Sequence, residues 1–163
     1  MAITKAKKGE ITESIKSKIG GAGSVVFVNF HKLPVSESTV LRGSLRKTGS
    51  GFMVAKKTLL SRVLNDAGIV GERPLLNGEV GFAYGTDAIA PSREVSDFAK
   101  SHKESLIVLG GIFEGRYIAT SEVLALGKIP SREVLYSQLL GVLNGPVRSF
   151  ATVLDAIAKK KAA

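Results

Sequence analysis

The last fifth of the chain, from Ser131 to Ala163, repeats apolar side chains at the step of one helix face. Leu135, Leu139, Leu143, Val147, Phe150, Leu154 and Ile157 follow one another at intervals of three or four. That is the period of a single α-helical stripe. Ile129-Pro130 marks its beginning, because the residue before a proline disfavours helix. Gly145-Pro146 predicts a break near its middle. Fully burying such side chains stabilises by about 1.5–3 kcal/mol each, or roughly 10–20 kcal/mol for the stripe. Association costs about 4–15 kcal/mol, so a stripe of this size can hold a complex together. The expectation is a rod that its own domain leaves uncovered and that docks other proteins.

The rod contains a near-repeat. Leu135-x-x-x-Leu139-Leu140-x-x-Leu143 is echoed by Phe150-x-x-Val153-Leu154-x-x-Ile157, which predicts two docking segments separated by the Gly-Pro pair. Two other readings compete. Ala151, Ala156 and Ala158 suit close packing of a long helix onto its own domain. Lys159-Lys160-Lys161 suits an interfacial helix on anionic lipid. Only Arg132 and Arg148 accompany the stripe before that cluster, which makes a weakly basic polar face for a membrane.

Ahead of residue 130 the pattern changes to strands alternating with helices. Residues 4–19 read as a helix on Ile11, Ile15 and Ile19, stopped by Gly20-Gly21. Ser24 to Phe30 is a buried strand by its β-branched and aromatic run. Pro34 and Ser36 open a helix carrying Val40, Leu41 and Leu45, which ends near Gly49. Gly51 to Ala55 is a short strand, followed by a helix from Lys57 to Ala67. Glu79 to Tyr84 is a third strand, and Thr86 is the expected N-cap of a helix reaching His102, with Pro91 in its first turns. Leu106–Leu109 and Ile112–Phe113 flank Gly110-Gly111, a turn at Gly115-Arg116 precedes Tyr117-Ile118, and Thr120-Ser121-Glu122 starts a short helix ending at Gly127. This alternation implies an α/β domain over 1–130, a mixed sheet covered by helices. Residues 131–163 form the kinked helical appendage.

Charge is unevenly distributed. Residues 1–62 hold 12 Lys/Arg against 3 Asp/Glu; residues 63–130 hold 6 against 9; residues 131–163 hold 5 against 2. A basic front on a globular domain suits a polyanion. Lys5, Lys7 and Lys8 open the first helix, and Lys32 follows the first strand. Arg42, Arg46 and Lys47 lie on the second helix, and Lys56-Lys57 stand where a strand passes into a helix. Neighbouring strand ends would gather Lys32, Lys56 and Lys57 into one patch able to neutralise phosphates. Aromatic residues make up only 6% of the chain, which favours folded RNA read through backbone and shape over stacked single strands.

Enzyme signatures are missing. Gly20-Gly21-Ala22-Gly23 precedes a strand instead of following one, the wrong order for a dinucleotide turn. His31 and His102 stand in no triad or metal motif, and with no cysteine there is no disulfide and no thiolate site. No catalytic residue, metal or cofactor is expected. The lysine-bearing start lacks the apolar core of a secretory signal, and no apolar run approaches the ~20 residues of a membrane span. The cytoplasm is the expected compartment.

Taken together, several motifs resemble one family. They are Ser24-Val25-Val26-Phe27-Val28, Phe30-His31-Lys32-Leu33, Leu41-Arg42, Val54-Ala55-Lys56-Lys57-Thr58-Leu59-Leu60, Leu76-Asn77-Gly78 and the junction Lys128-Ile129-Pro130-Ser131-Arg132-Glu133. In order and spacing they are similar to the bacterial ribosomal protein L ten family, which forms the base of the large-subunit stalk. Phe30-His31-Lys32-Leu33 stands where the family has aromatic-Arg-Gly-Leu. Lys56-Lys57-Thr58-Leu59 replaces Lys-Asn-Thr-Leu, and Glu79-Val80-Gly81 replaces Pro-Thr-Ala.

The resemblance implies an N-terminal domain bound to large-subunit rRNA, near ribosomal protein L eleven. It also implies a C-terminal helix carrying dimers of the acidic L seven/L twelve stalk protein, which recruit translational GTPases on the cytoplasmic ribosome. On that reading the phosphate-facing residues are Lys5, Lys7, Lys8, Lys32, Arg42, Arg46, Lys47, Lys56 and Lys57. The partner-facing residues are Leu135, Leu139, Leu140, Leu143, Val147, Phe150, Val153, Leu154 and Ile157. The expected number of dimers is two.

Overall fold

A computed structural model describes residues 5–31, 33–102 and 105–162. The elements in chain order are α1 (Lys5–Gly20), β1 (Ser24–Phe30), α2 (Val35–Lys47), β2 (Ser50–Val54), α3 (Lys57–Asp66) and β3 (Val80–Gly85). They continue with α4 (Ala90–Ser101), β4 (Leu106–Phe113), β5 (Arg116–Ile118), α5 (Thr120–Leu126) and α6 (Arg132–Ala162). Two compact units result, Met1–Ile129 and Pro130–Ala163.

The first unit is built on a five-stranded sheet in the order β2-β3-β1-β4-β5. Every ladder in it is antiparallel, where alternating strands and helices had implied a mixed sheet. The reason lies in the crossovers. β1 and β2, joined through α2, run in the same direction, but β3 inserts between them. β3 and β4, joined through α4, also run alike, with β1 between them. Each crossover leaves a gap one strand wide, and a strand of opposite direction fills it. Among the described residues a single parallel bridge joins Val70, outside the named strands, to Arg116 at the start of β5.

β1 is the central strand, and its side chains alternate between two cores. Val25 and Phe27 point to the face covered by α1 and α3, where they meet Ile15, Ile19, Leu60, Val63, Leu64, Val80, Phe82 and Ile112. Val26 and Val28 point to the face covered by α2, α4 and α5, against Leu41, Leu45, Val95, Leu106 and Val123. Burial on both faces explains the unbroken apolar run of Val25–Val28, all of it buried.

Further details of this unit differ from the sequence reading, among them the β4–β5 turn, which falls at Glu114-Gly115 and not at Gly115-Arg116. Gly110 and Gly111 sit inside one continuous strand, β4, where the β1 register shifts between Phe27 and Val28. Gly110 has φ +147°, and a Cβ there would lie 2.9 Å from the Ile118 carbonyl, so this irregular step needs glycine. Thr86 is not the cap of α4. The helix starts at Ala90 after Ile89, with Pro91 in its first turn, and the Ile89 N–H donates to Asp87 Oδ1 at 3.2 Å. That bond closes a local turn ahead of the helix, and no side chain caps α4.

The second unit is α6, 31 residues with Pro146 inside it, roughly 46 Å at 1.5 Å per residue. The expected break at Gly145-Pro146 is absent: helix is assigned without interruption from Arg132 to Ala162. Proline removes one hydrogen bond and crowds one carbonyl, and the turns on either side carry the helix across.

Candidate nucleic-acid interface and docking helix

β1 and β2 finish at the same end of the sheet, with the start of β3 between them. The Phe30 N–H donates to the Glu79 carbonyl at 3.1 Å, and the Ala55 N–H donates to the Val80 carbonyl at 3.3 Å. The three strand ends enclose an open cleft of about 560 Å³, lined by Phe30, Lys56, Lys57, Thr58, Gly78 and Glu79 among others. Lys56 is the N-cap of α3 and Lys57 its first residue, and no side chain caps the helix. Leu59 and Leu60 donate to the Lys56 carbonyl at 3.0 and 3.1 Å. The Lys57 and Thr58 N–H groups stand in the first turn, beyond the reach of any helical carbonyl. Two exposed ammonium groups thus flank the positive end of a helix dipole, an arrangement that draws an anion. Glu79 is the one carboxylate among the lining residues.

The other basic positions divide between the two helical layers. Lys7 and Lys8 are exposed in the first turns of α1. The opposite end of α1 is tied down by Lys18, whose Nζ lies 3.5 Å from Met53 Sδ and 5.4 Å above the Tyr84 ring. The first turns of α1 therefore lead back toward the cleft. Arg42, Arg46 and Lys47 are exposed on α2, across the sheet from α3, with the Arg42 guanidinium 6.0 Å from the centre of the Phe52 ring. Among the described residues the predicted basic positions divide between the two sides of the sheet. Lys56 and Lys57 line the cleft, and the α2 group faces the other way. His31 is exposed just beyond β1, donating its N–H to the Ser105 carbonyl at 2.9 Å. Lys32 lies outside the described residues, and Lys5 opens α1.

Sequence reasoning missed the floor of the cleft. Gly78 has φ +74°, and a Cβ there would meet the Asn29 amide nitrogen at 2.9 Å, so a side chain at 78 would push into the neck between β1 and β3. The signal was the Asn77-Gly78 dipeptide, a turn signature, but nothing local ties it to Lys56. The two histidines also have separate settings. His102 stacks on Phe98 at 4.3 Å and lies 3.5 Å from Glu37, joining α4 to α2. A second cleft near β5 holds Arg73 and Tyr117. Burial raises the Tyr117 phenol above its ordinary pKa, and the Arg73 charge opposes the shift.

On α6 the predicted stripe is solvent-exposed. Leu139, Leu140, Leu143, Val147, Phe150, Val153, Leu154 and Ile157 are each between 51% and 69% exposed, and Leu135 is 40%. Tyr136 and Val142, absent from the sequence reading, fall on the same side at 63% and 74%. At 100° per residue these positions span an arc of about 160°. Because the helix is unbroken, both halves of the near-repeat lie on that one arc. They are offset by fourteen residues, roughly 21 Å along the axis.

Both units match known proteins. The family model described as Ribosomal protein L10 matches residues 3–100, and the one described as Ribosomal protein uL10 C-terminal region matches residues 129–163. The chain belongs to the ribosomal protein L10 family. The large ribosomal subunit protein uL10 of Staphylococcus epidermidis is 38% identical over 161 residues, covering 98% of this chain and 96% of that protein. Its counterpart in Staphylococcus carnosus is 38% identical over 160 residues, covering 98% and 95%. L10 family members are structural ribosomal proteins, so this chain is a ribonucleoprotein component concerned with translation and located on the cytoplasmic ribosome. Among the described residues, no helix is long and apolar enough to cross a membrane.

Proposed function

We propose that this L10 family member forms the base of the large-subunit stalk. Its α/β unit holds rRNA near ribosomal protein L eleven, and α6 carries acidic stalk protein dimers of the L seven/L twelve family. Those dimers recruit translational GTPases. The chain catalyses nothing itself, needs no cofactor and works away from membranes.

The observation that carries this reading is the division of surface chemistry. One unit presents Lys56, Lys57 and two free helix-terminal N–H groups at an open cleft. The other presents a long exposed apolar arc. The first chemistry suits phosphate, and the second suits helical protein partners. Two segments on α6 give two dimers. Residues 1–130 act as the RNA-binding domain and 131–163 as the docking helix.

The test is a filter-binding salt series on the stalk-base rRNA fragment. Affinity should fall steeply with salt, and the double change Lys56→Ala with Lys57→Ala should reduce the log–log slope by about 1–2. A salt-insensitive complex, or an unchanged slope, would refute the cleft as the phosphate contact. Native mass spectrometry with purified stalk protein should show two dimers per chain, and any other number rejects the two-segment reading.

A further inference from the structure

The arc on α6 contains a stricter pattern than a stripe. Tyr136, Leu143, Phe150 and Ile157 recur every seven residues, and Leu140, Val147 and Leu154 recur every seven residues between them. Alternating steps of four and three over three heptads are the seam of a left-handed coiled coil. The positions farthest from that seam are Gln138, Gly141, Gly145, Thr152 and Ala156, so the side opposite the seam is polar or small, with Val142 on its flank. Helix without interruption keeps the seam in register across Pro146. Each of the seven seam residues is 51–69% exposed.

We infer that in the free protein this seam is occupied by α6 of a second copy of the chain, in an antiparallel pair. Three features select that occupant. First, the seam is self-complementary: in the antiparallel register Leu140 lies opposite Ile157, Leu143 opposite Leu154 and Val147 opposite Phe150. One twofold-related patch therefore satisfies both copies. Second, the seven seam side chains are each more than half exposed in an unbroken row, so pairing would bury a continuous apolar strip along both copies.

Third, charge sets the direction. Lys159, Lys160 and Lys161 end the helix, and a parallel pair would bring two such clusters together. The antiparallel pair separates them and places Lys161 beside Tyr136 of the other copy, where an ammonium over an aromatic ring is favourable. Pairing uses the same residues as stalk-protein docking, so a chain is either paired or loaded. The inference itself rests on the exposed seam and not on the docking reading.

Sedimentation equilibrium of the full chain, without RNA or stalk protein, should show twice the chain mass at tens of micromolar. Leu143→Asp should raise the dimer dissociation constant on the order of 100-fold or more. Orientation can be read by oxidation, because the native chain has no cysteine. A chain with both Leu140→Cys and Ile157→Cys should form disulfide-linked dimers, while either change alone should not. Cross-linking by Leu140→Cys alone would mean a parallel pair and overturn the inference, as would a monomer or an open-ended series of larger species. Adding stalk protein separates the two readings. A monomeric free chain that still loads it defeats the pairing alone, and a dimer that stays paired in its presence defeats docking alone.

Discussion

Glu114 has φ +48°, the one positive value at a non-glycine among the described residues, and Gly115 beside it has φ +79°. They are the central pair of the β4–β5 hairpin, where two positive φ angles match the twist of the strands. An L-residue with a Cβ pays about 1–2 kcal/mol for that backbone conformation, a cost asparagine partly escapes. Glu114→Asn should therefore raise stability by about 0.5–1 kcal/mol, read as a higher urea midpoint at unchanged m value. At this scale the sequence showed chemistry but not company. Lys56 and Lys57 were legible because charge and a strand-to-helix boundary are local properties. Gly78 and Glu79, which complete their cleft, stand more than twenty residues later and meet them only through β3 pairing.

Elements were legible wherever periodicity was strong. β1 was read residue for residue, because burial on both faces demands a continuous β-branched and aromatic run. Punctuation was less secure. Thr86 resembles a cap, yet Asp87 takes the local hydrogen bond and α4 begins later. Gly110-Gly111 resembles a turn, yet the pair lies within β4, which takes up one extra residue at Leu109 against β1 and continues. Pro146 resembles a break, yet α6 runs through it. An interior proline costs about 3 kcal/mol relative to alanine. Pro146→Ala should stabilise the helix by an amount of that order, visible as a higher midpoint of the helical melting transition by circular dichroism. Because both halves of the near-repeat already share one arc, the same change should leave the number of bound stalk dimers as it was.

At the scale of the molecule, the two units carry their chemistry on different kinds of surface. The α/β unit buries Phe27 and Leu60 completely between its layers. Leu60→Ala should cost that unit about 2–5 kcal/mol, measured by urea unfolding followed by fluorescence of its tyrosines. Leu139→Asp or Leu154→Asp alters side chains that are more than half exposed. These changes should move the same midpoint by less than about 0.5 kcal/mol while releasing stalk protein. An unfolded α/β unit after either change would mean that the stripe is part of its core.

The sequence by itself determined the division near residue 130, the amphipathic helix beyond it, the central buried strand and the positive charge of the front. All of these follow from period, composition and order along the chain, which are properties of neighbours. Only the tertiary structure decided that β3 separates β1 from β2, so that the sheet is antiparallel throughout. It also decided that the basic residues divide between two layers. Strand order depends on contacts between segments far apart in sequence, and a crossover helix is equally compatible with a filled or an empty gap beneath it. The continuity of α6 depends on the same kind of balance, a local penalty at Pro146 set against the turns on both sides.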